Sequence, residues 1–139
     1  MKIRKFINSL LKAGLLLILP FLITLSSCRQ VVYYPSTSLI INRSVDVQLK
    51  DSALIYGRVC YAPDKKNVIP DANVWIKEMN IKTLSNDSGY YSLKVIPGKY
   101  TIQSYMDDPS EEFAVLLNDL IIHGNEKVEV RFLIGSRSE

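Results

Sequence analysis

A single histidine and a nearby glutamate have a spacing that could do chemistry. His123 and Glu126 are three positions apart, which can place two ligands on one zinc ion. A catalytic zinc site needs three protein ligands and a water molecule. His123 is the only histidine, and the Gly124-Asn125 pair after it favours a turn. We therefore predict no zinc site here, and no Ser/His/Asp or Cys/His catalytic set elsewhere.

Two oxygen-rich segments could attract calcium, which prefers carboxylate and carbonyl ligands. The first is Asn86-Asp87-Ser88, which precedes Gly89 and has the composition of a plain β-turn. The second is an acidic stretch, which is typical of a solvent-exposed loop: Asp107, Asp108, Glu111 and Glu112. We predict no bound metal and no cofactor.

Three aromatic residues are candidates for ligand contact: Trp75, Tyr90 and Tyr105. The alternation of side chains puts Trp75 and Tyr90 on the face opposite the predicted core. Exposed rings can stack on sugars or anchor a protein interface. They can also cover a neighbouring strand or the amino-terminal segment, and this is the favoured interpretation.

The amino-terminal region has the layout of a secretory signal. Four basic residues come first: Lys2, Arg4, Lys5 and Lys12. An apolar run over residues 13–25 and two serines then lead to Cys28. The run has 13 residues and contains Pro20, whereas a membrane-spanning helix needs about 20 apolar residues. We therefore expect a signal-peptide helix over residues 1–27 that is removed, not a transmembrane helix.

The end of this signal resembles the lipobox of bacterial lipoproteins, in which a leucine and small residues precede a cysteine: Leu25-Ser26-Ser27-Cys28. The resemblance implies cleavage between Ser27 and Cys28. It also implies a diacylglyceryl group on the Cys28 thiol and a fatty acyl chain, such as palmitate, on the new amino terminus. Two or more chains anchor a protein stably where one does not. We expect lipid on Cys28 to hold the mature protein at a membrane.

Cleavage would leave 112 residues, enough for one domain. Four of the 17 basic residues precede Cys28, so the mature chain carries 13 basic and 14 acidic residues. This balance does not suggest a nucleic-acid partner. Cys60 is the only other cysteine, so no disulfide framework is possible, and its strand-like surroundings indicate a small packed residue.

Residues 53–135 alternate with a period of two, and six to eight such runs separated by turns predict an all-β antiparallel β-sandwich. Gly57 within the first run indicates close approach of another backbone. Pro97-Gly98 separates two runs that we predict to form a hairpin. The residues predicted to share the alternating faces are Ile55, Gly57, Val59, Ala72, Val74, Ile76, Tyr91, Leu93, Val95, Tyr100, Ile102, Ser104, Val128, Val130 and Phe132.

Residues 28–52 are expected to form the lipidated amino terminus and a linker. The 24 residues after Cys28 would span about 27 Å as a flexible chain and about 80 Å when extended. Strand-forming residues within it indicate more than a solvated tether, and residues 44–50 are a candidate extra edge strand. Residues 136–139 are predicted to be a polar tail.

Four motifs over residues 54–134 resemble, in order and spacing, the carboxypeptidase regulatory-like domain. They are Ile55-x-Gly57-x-Val59, Ile69-Pro70-Asp71-Ala72-Asn73-Val74, Asp87-Ser88-Gly89-Tyr90-Tyr91-Ser92-Leu93 and Ile96-Pro97-Gly98-Lys99-Tyr100-Thr101-Ile102. The resemblance implies a seven-stranded, transthyretin-like sandwich that is usually non-catalytic. Asp71 stands where the family commonly has glycine, and Ser85-Asn86 stand where it commonly has Thr-Asp.

These features predict a non-enzymatic, membrane-anchored cell-envelope lipoprotein whose β-sandwich is a binding or assembly module for an envelope protein. The alternative is a carbohydrate-binding lipoprotein that uses exposed aromatic residues; an enzyme is a third, less favoured hypothesis. Arg29-Gln30 after the cysteine favours the outer membrane, at its periplasmic face, over retention at the inner membrane.

Overall fold

The computed structural model describes residues 30–138, so the predicted signal peptide, Ser27 and Cys28 lie outside the described residues. The described part is all-β, and its one helix is a short 3-10 helix at Val47–Leu49. The strands are β1 (Val32–Tyr34), β2 (Thr37–Val45), β3 (Ala53–Tyr61), β4 (Asn73–Ile76), β5 (Ile81–Leu84), β6 (Tyr90–Val95), β7 (Gly98–Tyr105), β8 (Val115–Ile122), β9 (Glu126–Ile134) and β10 (Ser136–Ser138).

Eight of these strands form two packed four-stranded sheets. We call the first, with strand order β2-β9-β3-β6, the β3 sheet, and the second, with order β5-β4-β7-β8, the β7 sheet. The remaining pair, β1 and β10, forms a small two-stranded sheet. Neighbouring strands are antiparallel except β3 and β9, which are parallel, so the expectation of a purely antiparallel sandwich is wrong at this pair.

The core lies between the two large sheets, where the predicted alternation is confirmed. One face of each strand is buried because apolar side chains recur at every second position. Burial of this apolar surface is the main favourable term in folding, at roughly 25 cal/mol per Å². The largest fully buried side chains of the predicted set are Ile55, Val59, Val74, Ile76, Ile102, Val128, Val130 and Phe132.

Gly57 allows a close backbone approach in the β3 sheet, as its position in the sequence predicted. A Cβ at this position would overlap the carbonyl oxygen of Val130 on β9. The buried Tyr91 hydroxyl on β6 donates a hydrogen bond of 2.8 Å to the same oxygen. Burial raises the pKa of Tyr91 well above its ordinary value, so the hydroxyl remains a proton donor. The Val130 carbonyl of β9 therefore lies against Gly57 of β3 and also accepts a hydrogen bond from Tyr91 of β6, so it contacts two other strands of the sheet.

The predicted hairpin around Pro97-Gly98 does not form. β6 pairs with β3, whereas β7 pairs with β4 and β8, so the chain passes from one sheet to the other at this turn. Both arrangements bury the same alternating side chains and both need a tight turn. Local pattern therefore could not distinguish a hairpin from a corner between sheets.

Most of the expected linker belongs to the fold. β2 pairs with β9 along its length, from Thr37 opposite Leu133 to Val45 opposite Glu126, with a bulge after Ile40. The edge strand includes only residues 44 and 45 of the candidate segment 44–50. The Asp46 side chain then accepts a hydrogen bond from Gln48 N–H and caps the 3-10 helix, which follows the strand. The expected polar tail also pairs, since β10 lies against β1.

Candidate functional site

The three aromatic candidates lie on two different sheets. Trp75 on β4 and Tyr105 on β7 share the outer face of the β7 sheet, whereas Tyr90 begins β6 in the β3 sheet. Tyr90 is 46% exposed, Trp75 is half-buried and Tyr105 is only 3% exposed. The structure therefore brings Trp75 and Tyr105 together, leaves Tyr90 apart, and offers a ligand little of the Tyr105 ring.

A lysine and a loop cover the outer face of the β7 sheet. The Lys82 ammonium lies 5.7 Å from the centre of the Trp75 ring and 5.6 Å from that of Tyr105. The loop of residues 106–112 folds back onto this face, where its backbone accepts a hydrogen bond of 2.5 Å from the Gln103 side chain. Groups of the protein itself thus occupy the space in which a sugar would stack.

The pair with zinc-like spacing has other partners. Glu126 accepts hydrogen bonds from the His123 N–H at 2.9 Å and from Arg43 at 2.8 Å, beside a groove of about 220 Å³. Burial acts to raise the pKa of Glu126, but these two donors lower it overall. Gly124 and Asn125 form the predicted turn. Within residues 30–138, no three His, Cys, Asp or Glu side chains are grouped in a way that could hold a metal ion.

The oxygen-rich segments use their oxygens in local hydrogen bonds. Asn86 Oδ1 accepts from the backbone N–H groups of Ser88 and Tyr90, each at 3.0 Å, which confirms the predicted β-turn. In the acidic loop, Asp108 accepts from the Ser110 hydroxyl at 2.7 Å. This bond and the Ser110 N–H lower the pKa of Asp108.

Two glutamates fasten the acidic loop to the rest of the domain. Glu111 accepts a hydrogen bond of 2.6 Å from the Met106 N–H. Glu112 accepts two hydrogen bonds of 2.7 Å from the Arg137 guanidinium, which raise the pKa of Arg137. These carboxylates therefore already have structural partners.

A groove of about 430 Å³ lies beside β6, at one edge of the sandwich. Its principal lining residues are Leu54, Tyr56, Leu84, Asn86, Tyr90 and Ser92. The Arg58 guanidinium stacks on the Tyr90 ring at 4.1 Å from its centre, on the same outer face of the β3 sheet. Sequence reasoning did not select Tyr56 or Arg58, although alternation with the buried Ile55 and Val59 places both on the outer face.

Cys60 is a packed residue, as predicted. It is fully buried in a small cluster on the outer face of the β3 sheet, with Ala62 and Leu133. Burial raises the pKa of the Cys60 thiol, although the nearby Arg131 and Arg58 oppose this shift. The thiol is therefore protonated and inaccessible.

The predicted cleavage site, Ser27-Cys28, and with it the predicted lipid-attachment residue, are not among the described residues. None of the helices in the described part has the length and apolar character needed to cross a bilayer. Comparison with protein-family models, with curated proteins and with solved structures finds no match to this chain.

Proposed function

We propose that this protein is a non-enzymatic lipoprotein of the cell envelope, anchored through Cys28 in the outer membrane at its periplasmic face. Its β-sandwich would serve as a binding or assembly module for another envelope protein. The observation that carries the proposal is the pairing of β2 with β9, because it incorporates the expected linker into the domain. A lipid on Cys28 would then hold a folded surface directly at the membrane.

The length of chain between anchor and domain supports this geometry. Only residues 29–31 separate Cys28 from β1. Even a fully extended chain spans about 14 Å between the α-carbons of Cys28 and Val32. A partner would therefore meet the sandwich within a domain's diameter of the bilayer, not at the end of a long tether.

Three features favour a transthyretin-like sandwich of the carboxypeptidase regulatory-like type. Seven strands, β3 to β9, lie between Ala53 and Ile134, the number that the resemblance implies. Asp71, at a position where the family commonly has glycine, has a φ of 56°, a conformation that glycine adopts without strain. Ser85 supplies the hydroxyl that threonine would supply, since it donates to the Ile69 carbonyl and accepts from the Ala72 N–H.

Mass and location of the native protein test the anchor. We expect the native protein to begin at Cys28 with added acyl mass and to fractionate with membranes, whereas Cys28→Ala should lose both properties. Cys60→Ala is the matched control, because it removes the other cysteine and should leave lipidation unchanged. A native protein that keeps residues 1–27 and carries no lipid would refute the proposal.

Crosslinking in intact envelopes tests the partner. It should capture one envelope protein reproducibly, and a loss of that product in Cys28→Ala would show that the partner binds the anchored state.

The groove beside β6 favours carbohydrate binding as a second candidate function. Its walls include Tyr56 and the exposed Tyr90, and aromatic rings provide faces on which sugar rings can stack. Saturable binding on a glycan array that disappears in Tyr90→Ala would support this function. Trp75→Ala serves as the comparison, since it removes the ring covered by Lys82 on the opposite sheet. If the native protein binds no glycan on the array, carbohydrate binding is refuted and the protein-partner function remains the better account.

A further inference from the structure

Two arginines stand side by side on the outer face of the β3 sheet. β3 and β9 run parallel in one register, with Tyr56 opposite Glu129 and Val59 opposite Phe132. The same register places Arg58 opposite Arg131. Both are half-buried, and their neighbours along each strand alternate into the core. The two arginine side chains therefore leave neighbouring strands side by side on one face of the sheet, and both lie close enough to Cys60 to act on its thiol.

Neither arginine has an acidic partner within the described residues. No carboxylate there lies within 4.0 Å of either guanidinium, whereas Arg43 and Arg137 each bind a glutamate. The Nε atoms of both Arg58 and Arg131 are buried, and neither donates a hydrogen bond. An arginine fork is complementary to a carboxylate or a phosphate, which it can bind with two parallel hydrogen bonds. Here both forks have unused donors.

The surroundings of this arginine pair, Arg58 and Arg131, strengthen an interaction with an anion. Towards the carboxyl ends of β3 and β9, the next pair on the same outer face is Cys60 opposite Leu133, which belongs to a buried apolar cluster. Such a wall lowers the local dielectric and increases the attraction between opposite charges. On the β6 side, the Tyr90 ring stacks against Arg58 and fixes the plane of that guanidinium.

Packing alone does not account for the arrangement. Stacking on Tyr90 explains Arg58, but among the described residues Arg131 contacts no comparable ring. Glu129 is the acidic residue closest in register, yet it lies opposite Tyr56 and forms no salt bridge with either arginine. Like charges directly opposite each other on neighbouring strands destabilise a sheet. An arrangement that is unfavourable when empty becomes favourable when an anion lies between the two groups.

We propose that Arg58 and Arg131 form an oxyanion-binding site for a carboxylate or phosphate group, with Tyr90 as one wall. The site adjoins the groove beside β6 through Tyr90, so a ligand with a charged group and a ring could occupy both. This binding activity goes beyond the assembly function and does not depend on the lipid anchor. The same oxyanion chemistry is found in a free anion, an acidic sugar and a phospholipid headgroup.

Nitrogen-detected or heteronuclear NMR of the arginine Nε–H groups tests the site directly. The full-length native protein in a neutral detergent should be titrated with inorganic phosphate at low ionic strength. We expect the Arg58 and Arg131 signals to shift together and to saturate, while that of Arg43, already bound to Glu126, stays in place. If neither signal of the pair responds, or if all arginines shift in proportion to salt, the site does not exist.

Variants assign the binding to the pair. Arg131→Gln should weaken phosphate binding at least tenfold, which corresponds to about 1.4 kcal/mol, and Arg131→Lys should weaken it less because the charge remains. Lys82→Gln removes one cation from the opposite sheet and should leave binding unchanged. Equal binding by Arg131→Gln and the native protein would overturn the proposal. The titration of the native protein decides the question even if a variant fails to fold.

Three probes separate the sources of the oxyanion. Glucuronate represents an acidic sugar, inorganic phosphate a free anion, and vesicles of phosphatidylcholine with or without phosphatidylglycerol a lipid surface. Tighter binding of glucuronate than of phosphate, with loss in Tyr90→Ala, would assign a sugar acid. Binding to anionic vesicles that is lost in Arg131→Gln would assign a headgroup. A response to phosphate alone would assign a small free anion, and no response to any of the three would refute the site.

Discussion

The outer faces of the two sheets both combine cations with aromatic rings, but they differ in what surrounds the charge. On the β7 sheet, the exposed Lys82 lies over Trp75 and Tyr105. The loop of residues 106–112 covers the same face, and its Glu111 carboxylate accepts a hydrogen bond from the Met106 N–H. On the β3 sheet, two half-buried arginines are neighbours, and no carboxylate among residues 30–138 lies within 4.0 Å of either one. Within the described part of the chain, the first face leaves one neutral buried donor, Trp75 Nε1, without an acceptor, whereas the second leaves the buried Nε donors of two neighbouring cations, Arg58 and Arg131, without acceptors.

This difference teaches that exposed aromatic residues alone are a weak guide to a binding site. Trp75 was the most conspicuous candidate in the sequence, yet protein groups already cover its face. The sequence pattern does not distinguish Arg58 and Arg131 from other outward-facing residues, because each belongs to an ordinary alternating strand. The informative property is a pair of neighbouring cations with unpaired buried donors, and it becomes visible only when two distant strands are placed side by side.

The largest effect should come from removing the glycine that lets β3 and β9 approach. Gly57→Ala forces a Cβ against the Val130 carbonyl and should lower the free energy of unfolding by about 3 kcal/mol. Urea denaturation measures this loss. Gly124→Ala is the control, since its Cβ would approach its nearest neighbour at 3.3 Å and should have a small effect. A stable Gly57→Ala protein would mean that the arginine-bearing sheet tolerates a wider spacing than the structure shows.

Ser85 contrasts with the unpaired arginine donors, because it is a buried polar residue whose hydroxyl both donates and accepts a hydrogen bond. Ser85 is 1% exposed, and its hydroxyl is within 2.6 Å of the Ile69 carbonyl and 2.9 Å of the Ala72 nitrogen. Ser85→Ala leaves both backbone groups without a partner and should cost about 2 kcal/mol in thermal or urea unfolding. Ser85→Thr keeps the hydroxyl and should cost less. Equal losses in the two variants would point to a steric effect.

Removal of a positive charge should change the free energy of unfolding in opposite directions on the two outer faces. Without added anion, Arg131→Gln relieves like-charge repulsion and should raise the free energy of unfolding by about 0.5 kcal/mol. Lys82→Gln removes contacts with two rings and should lower it by about 0.5 kcal/mol. The gain in Arg131→Gln should shrink as salt screens the repulsion. A loss of stability in Arg131→Gln at low salt would show that Arg131 is structurally compensated.

The smallest expected effect concerns pH. The pKa of Glu126 is lowered in the folded state, so its stabilising contribution is present above the unfolded value of about 4.3 and is lost as the pH falls through the lower folded value. Glu126→Gln should therefore reduce stability at neutral pH by less than about 0.5 kcal/mol. Denaturation midpoints of the native and variant proteins should converge in acid. Parallel pH profiles would show that Arg43 does not act through this carboxylate.

The alternation of residues predicted most of the fold, because burial of one face of a strand depends on neighbours two positions away. Ile55, Val74 and Phe132 show this. The sequence could not show whether the turn at Pro97 joins two strands of one sheet or passes from one sheet to the other, since both arrangements bury the same side chains. The juxtaposition of Arg58 and Arg131 depends on the register between strands 73 positions apart, which no local pattern encodes.

The central place of β9 has a consequence for how the chain can fold. This strand is the last long one in the sequence, yet it lies between β2 and β3 and completes the ladders of both. Contacts over such sequence separation form slowly, because the intervening loop must close first. A chain that emerges from a secretion channel with its amino terminus leading would lack the middle of its first sheet until nearly all of it had passed. Delayed folding of this kind would keep the chain unfolded during the proposed export, and pairing of the last long strand would then complete the native structure.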